Sequence, residues 1–157
     1  MTYEKNGALR AFYTVFLAIL IALFFGLGVA AFYEAPKRPT PTMAIEKEET
    51  PQSSTEILEY EANQGEFERS NEAYNQNVSM ITLGLALISV VAGLLLTNKI
   101  LLLSDGLMLG GVFTLIYSII RGMQTQDAKF RFIVAAVGLF ITLGLGYMKF
   151  IKNKEEK

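Results

Sequence analysis

The chain has 157 residues, a length that suits one domain, but 52% of them are hydrophobic and the mean hydropathy is +0.35, which points away from an ordinary soluble protein. Lys and Arg total 14 against 15 Asp and Glu, a net charge of -1, so no general basic character suggests a nucleic-acid partner. The absence of Cys and His excludes disulfides, His-based acid-base catalysis and the usual ligand sets of zinc, copper, haem and iron-sulfur groups, and no cofactor or metal is expected.

Residues 1–10 form a short polar segment carrying Glu4, Lys5 and Arg10. Residues 11–33 follow as the first of four apolar runs; the others are 78–96, 100–120 and 132–148, and only the third contains an ionisable side chain. Each approaches the roughly 20 helical residues that cross a ~30 Å hydrocarbon core. Backbone amides find no partners in hydrocarbon, so such runs must be helices or closed barrels, and the alternation of barrel strands is missing. No run shows the polar face that a helix of a soluble bundle requires. The predicted fold class is therefore an all-α integral membrane protein, a four-helix transmembrane bundle. Interfacial aromatics agree: Phe12, Tyr13, Phe32 and Tyr33 flank the first run, Tyr117 lies in the third, and Phe130, Tyr147 and Phe150 flank the fourth. The first run admits a second reading as a signal peptide cut near Val29-Ala30-Ala31; its length and terminal aromatic pair favour an uncleaved anchor.

Residues 34–77 are the one sizeable polar segment, with ten Glu against Lys37, Arg38, Lys47 and Arg69, a side-chain charge of -6. Pro36, Pro39 and Pro41 end the first helix and predict an extended stalk leading away from the bilayer. Residues 43–52 read as mobile. Ser53 to Glu56 has the spacing of a capping box, so a helix is expected from about residue 55, running directly into the second crossing across Gly65. Ile57, Tyr60, Phe67 and Tyr74 form a thin apolar stripe on it, either a contact for a partner or second copy, or the face by which the helix lies on its own third loop or on headgroups.

The short link at residues 97–99 makes the second and third crossings an antiparallel hairpin. Residues 121–131 are a basic loop with Arg121, Lys129 and Arg131, and residues 149–157 a basic tail. Placing the acidic segment outside puts Lys5, Arg10, Lys99 and the tail in the cytoplasm, with both termini, as the positive-inside tendency prefers. The third loop opposes this, since seven basic residues then fall on each side. Pairing of Arg121, Lys129 or Arg131 with Glu66, Glu68 or Glu72 on the same face would resolve the conflict.

Membrane helices associate by close backbone approach, so small residues mark candidate contacts. Thr14, Ala18, Ala22, Gly26 and Ala30 recur every four residues in the first crossing, and Gly106, Gly110, Thr114 and Ser118 in the third. Ser79, Thr82, Ala86, Ser89 and Gly93 line the second; Ala135, Gly138, Thr142 and Gly146 line the fourth.

Asp105 is the one ionisable residue inside a crossing, about 7–8 Å from the helix start. A carboxylate deep in hydrocarbon costs roughly 2.5–3.5 kcal/mol on insertion scales, so it pairs, protonates or lines water. With Ser104 it marks a candidate intramembrane polar site for a proton, a cation or a partner helix; the plainer alternative is an acid that snorkels to the interface at Ser104-Asp105-Gly106. No paired acids or nucleophile with a base accompany it, so an enzyme is not expected. The function expected is that of a non-catalytic accessory or scaffold subunit in a prokaryotic cell membrane, binding a protein partner or a second copy through its acidic segment. The alternative is a small channel or transporter component using Asp105.

Overall fold

In the computed structural model the protein is described over residues 2–39, 51–97 and 99–148, with the side chains of 2–6 and 51–57 outside that description. The basic tail, most of the stretch expected to be mobile, and the side chains of the capping box and of Ile57 lie outside the described residues. The described chain is all helical, without strands: α1 (Thr2–Phe32), α2 (Pro51–Leu96), α3 (Leu101–Met123) and α4 (Ala128–Gly146). All four are long and apolar enough to cross a membrane, which makes this a membrane protein. One end of the bundle, the loop end, carries Tyr33, Val78, Arg121 and Asp127; the other, the terminal end, carries Arg10, Thr97, Asp105 and Gly146.

The polar segment and second crossing are one helix. α2 begins at Pro51, ahead of the expected start near residue 55, because a proline at the first helical position gives up an amide that has no intrahelical partner and brings a φ already suited to the helix. The third loop is much shorter than the expected 121–131. Arg121 belongs to the last turn of α3, and Lys129 and Arg131 to α4, leaving a turn at residues 124–127. The turn is tight because both of its ends are capped. The amide of Gln124 bonds back to the Arg121 and Gly122 carbonyls, and Asp127 Oδ1 accepts from the amides of Lys129 and Phe130 at 2.8 and 3.3 Å.

Helix α3 is the hub. It packs most extensively on α2, also on α1 and α4, while α1 and α4 make no close backbone approach to each other among the described residues. The α2–α3 hairpin is held by buried hydroxyls that bond carbonyls of the opposite helix: Ser79 Oγ to Ser118 O at 2.9 Å, Ser118 Oγ to Ser79 O at 2.8 Å, Ser89 Oγ to Leu107 O at 2.8 Å and Ser104 Oγ to Gly93 O at 2.7 Å. In a membrane such bonds add to packing that has no hydrophobic driving force behind it. Glycines allow the approach. A Cβ on Gly93 would stand 2.6 Å from Met108 Cγ, and one on Gly111 2.9 Å from the Ala86 carbonyl oxygen. Gly106 and Gly110 do the same for α1, receiving Leu17 and Ile21, and Gly138 does so for Ile119 and Leu115 of α3.

Two of the glycines singled out above as helix contacts stand in open space. A Cβ at Gly26 or Gly146 would meet nothing within 4 Å. For Gly26 the reason is geometric: residues four apart precess by about 40° per step around a 3.6-residue helix, so Thr14 and Ala30 face directions about 160° apart. A single neighbour follows only part of that seam. α1 meets α3 through Leu17, Ala18 and Ile21, then turns Val29 toward Tyr74 and Val78 of α2.

Candidate functional site

The ionisable side chains of the spanning region sit at the two ends of the hub. At the terminal end, Asp105 rises from the first turns of α3. Its Oδ2 lies 3.7 Å from Nη2 of Arg10, the residue that precedes the apolar run of α1. Both side chains keep partial access, 47% for Arg10 and 30% for Asp105, so this is a half-exposed ion pair. Such a pair joins α1 to α3 without the full desolvation that a buried charge demands. Arg10 brings to Asp105 a charge that local sequence distance does not disclose. The parallel packing of α1 on α3 is what brings this cation to it.

Ser104, the other residue of the predicted polar site, faces away from Asp105. It is fully buried on the α2 side, where its Oγ donates to Gly93 O and lies 3.0 Å from Thr97 Oγ1. It is a rung of the hairpin, because adjacent residues on a helix point about 100° apart.

Between α1 and α4, where neither helix covers the hub, runs an open groove of about 710 Å³. Its walls are almost wholly apolar, from Gly7, Ala11 and Val15 on α1 and Leu145 and Gly146 on α4, over a floor of Met108, Leu109 and Val112. Thr14 and Thr142 also reach it, but their hydroxyls bond the Arg10 and Gly138 carbonyls of their own helices at 2.9 Å. The ion pair therefore supplies the groove's charge, and it lies at the mouth.

At the loop end, Arg121 organises a clasp. Its guanidinium lies over the rings of Tyr74 and Tyr117, 5.7 and 5.6 Å from their centroids, within cation-π range. Nη1 donates to Asn75 Oδ1 and Nε to Tyr117 Oη, both at 3.1 Å. Tyr33, just past the end of α1, stacks on Tyr74 at 5.4 Å, and its hydroxyl accepts from Asn77 Nδ2 at 2.7 Å. α2 and α3 thus meet at one cation, with Tyr33 stacked on the Tyr74 ring. Arg121 meets an amide and two phenols, where a glutamate partner was the sequence expectation. Glu72 does reach the third loop, but through backbone: its Oε1 accepts from the amides of Gln126 and Asp127 at 2.8 and 3.1 Å. Glu66, Glu68, Lys129 and Arg131 are exposed; among the described residues the Arg10–Asp105 pair is the ion pair observed.

The apolar stripe of α2 divides. Tyr74 is buried in its own bundle with Val29 and Val78, so it offers no surface to a partner. Phe67 is half-buried beside Pro36 and Pro39 of the segment that follows α1, which lies along α2. Tyr60 is half-buried and its hydroxyl accepts from Gln64 Nε2 at 2.8 Å. Leu58, beyond these, is 65% exposed. Comparison with protein families, curated proteins and solved structures finds no match for this chain.

Proposed function

We propose that the protein is a non-catalytic scaffold or accessory subunit of a cell membrane, with both termini cytoplasmic, that presents the outer half of α2 to a protein partner as a stiff acidic rod. The observation that carries this reading is the length of α2. Its 46 residues extend about 69 Å, of which a bilayer's hydrocarbon accounts for about 30 Å. More than half of the helix is left to stand clear. Its base is fixed by the Arg121 clasp and by the bonds of Glu72 to the 124–127 turn, and the segment with Pro36 and Pro39 braces its flank.

On the outer part, Leu58, Glu59, Glu61, Glu66 and Glu68 are all exposed. The apolar Leu58 side chain flanked by carboxylates suits a partner that offers an apolar pocket rimmed by Lys or Arg. The conduction reading has less support, since Asp105 faces a cation 3.7 Å away in a groove on the outside of the bundle.

The test is a photo-crosslinker at Leu58 in native membranes, compared with a variant bearing Glu59→Lys, Glu61→Lys, Glu66→Lys and Glu68→Lys. A partner crosslinked to the parent and lost from the variant supports the reading. A pattern the four reversals leave unchanged, or crosslinks to the same chain alone, overturns it.

A further inference from the structure

The segment that leaves α1 is seated on α2 by a match of two periods. Tyr33, Pro36 and Pro39 are half-buried, while Glu34, Ala35, Lys37 and Arg38 between them are exposed. Burial that repeats every three residues belongs to an extended polyproline turn, which prolines set in advance and which advances about 9.3 Å per turn. The aromatic stripe of α2 recurs every seven residues, at Tyr60, Phe67 and Tyr74, or about 10.5 Å along the helix. The two therefore run antiparallel and nearly in step. Tyr33 stacks on Tyr74, Pro36 and Pro39 lie beside Phe67, and Pro39 reaches the recess lined by Tyr60.

Charge lies on both flanks of this seat. Successive residues turn about 100° around a helix, so Glu66 and Glu68 stand about 100° to either side of Phe67. The strap supplies a cation to each side. Lys37 and Glu66 line one recess, of about 570 Å³, and Arg38 and Glu68 line the other, of about 340 Å³. All four side chains are exposed, so their attraction acts through water and is open to screening and to competition. The apolar contact is modest, two half-buried prolines against one half-buried ring, so the charges decide how firmly the strap sits.

The same two carboxylates also flank the opposite face. Leu58 stands about 180° from Phe67, and Glu66 and Glu68 lie about 80° from it on either side. A rim of Lys or Arg that engages the Leu58 face draws both carboxylates away from Lys37 and Arg38. We infer that residues 34–39 form a charge-held strap over Phe67, which a cationic partner of α2 releases by competing for Glu66 and Glu68. Release uncovers Phe67 and Tyr60. The seat is a property of the chain alone; the choice of a cationic competitor rests on the reading above.

The experiment places spin labels on Ala35→Cys and Ala62→Cys, two exposed alanines in a chain without native cysteine, and reads the distance distribution by pulsed electron paramagnetic resonance. One narrow distance is expected in 0.01 M salt. In 1 M salt, where the screening length falls from about 30 Å to about 3 Å, the ratio of released to seated strap should rise about threefold. Lys37→Glu with Arg38→Glu turns two attractions into repulsions and should raise that ratio about tenfold in 0.01 M salt; adding Glu66→Lys and Glu68→Lys restores the signs and should return it to within about twofold of the parent. Hexalysine at low salt should release the parent strap about threefold and leave unchanged a chain with Lys37, Arg38, Glu66 and Glu68 all replaced by Gln. A strap as firmly seated in the reversed pair as in the parent, a charge swap that leaves it released, or a parent distribution indifferent to salt or to hexalysine would each overturn the proposal. The salt and peptide titrations of the labelled parent decide even if a charge variant fails to assemble. Failure of the Leu58 crosslinking test would remove the natural partner and leave these outcomes standing.

Discussion

Gly111→Ala tests whether the α2–α3 hairpin owes its tightness to the missing side chain. An added Cβ would stand 2.6 Å from Val90 Cγ2, 2.9 Å from the Ala86 carbonyl oxygen and 3.2 Å from the Val90 amide nitrogen, where ordinary contact begins at 3.4 Å. Two of these three obstacles are backbone, and the third is a β-branched side chain whose helical rotamer is nearly fixed. Relief therefore requires α2 and α3 to separate by several tenths of an ångström. The nearby bond from Ser89 Oγ to Leu107 O at 2.8 Å would lengthen with them. Overpacking of this kind costs about 1–3 kcal/mol, and weakening a membrane interhelical hydrogen bond adds about 0.6 kcal/mol. The gain in helix propensity from Gly to Ala, up to about 1 kcal/mol in water, is small here because membrane helices persist after they come apart. A net loss of about 1–3 kcal/mol is expected. With no native cysteine, dyes on Glu68→Cys and Gln126→Cys report hairpin opening by energy transfer as dodecyl sulfate is titrated into mixed micelles. Gly26→Ala, where a Cβ meets nothing within 4 Å, is the control and should stay within about 0.5 kcal/mol of the parent. If Gly111→Ala opens at the same detergent fraction as the parent, the close approach is not what holds the hairpin.

Two further outcomes are read by the same assay and a third by hydrogen exchange. Ser79→Ala and Ser118→Ala, which remove reciprocal bonds across the hairpin, should show a coupling of about 0.6 to 1.7 kcal/mol in a double-mutant cycle, and independent effects would mean the two rungs do not act together. Arg121→Lys keeps the charge but loses the planar contact with Tyr74 and Tyr117 and the two directed bonds, and should cost about 1–2 kcal/mol; a stability equal to the parent would reduce the clasp to a point charge. Asp127→Ala removes the acceptor of the Lys129 and Phe130 amides, so the start of α4 should lose about 1 kcal/mol, seen as faster amide hydrogen exchange in its first turn and not in α3.

Features with a period of one helix turn were open to sequence reasoning, because solvent sets them residue by residue. Long apolar runs without charge leave only helices in hydrocarbon, and the prolines after Tyr33 leave only an end to the first one. The continuity of α2 was legible for the same reason, the stripe at Tyr60, Phe67 and Tyr74 sharing its phase with Val78. What the residues did not disclose were choices between partners that differ in tertiary distance alone. Arg10 and Asp105 are 95 positions apart in the chain, and nothing in either neighbourhood says that α1 packs parallel to α3. Arg121 carried the opposite lesson. Its charge invited a glutamate, but Tyr74, Asn75 and Tyr117 stand on adjoining helix faces and satisfy it by ring contact and two hydrogen bonds.

The asymmetry of the bundle ties these ends together. Because α3 is enclosed tightly by α2 and only partly by α1 and α4, its remaining side must meet something other than this chain's own helices, and Leu109, Val112, Ile116 and Ile120 lie along that side with increasing exposure toward the loop end. Where the side is deepest, at Met108 to Val112, α1 and α4 wall it into a groove; where it is shallow, Ile116 and Ile120 are 47% and 52% exposed and need no more than fluid lipid. The loop end differs because α1, α2 and α3 close on one another there: Tyr33 and Tyr117 pack against the cluster of Val29, Tyr74 and Val78, so the base of α2 is covered by side chains of this chain, whereas α3 at the terminal end is left partly open between α1 and α4.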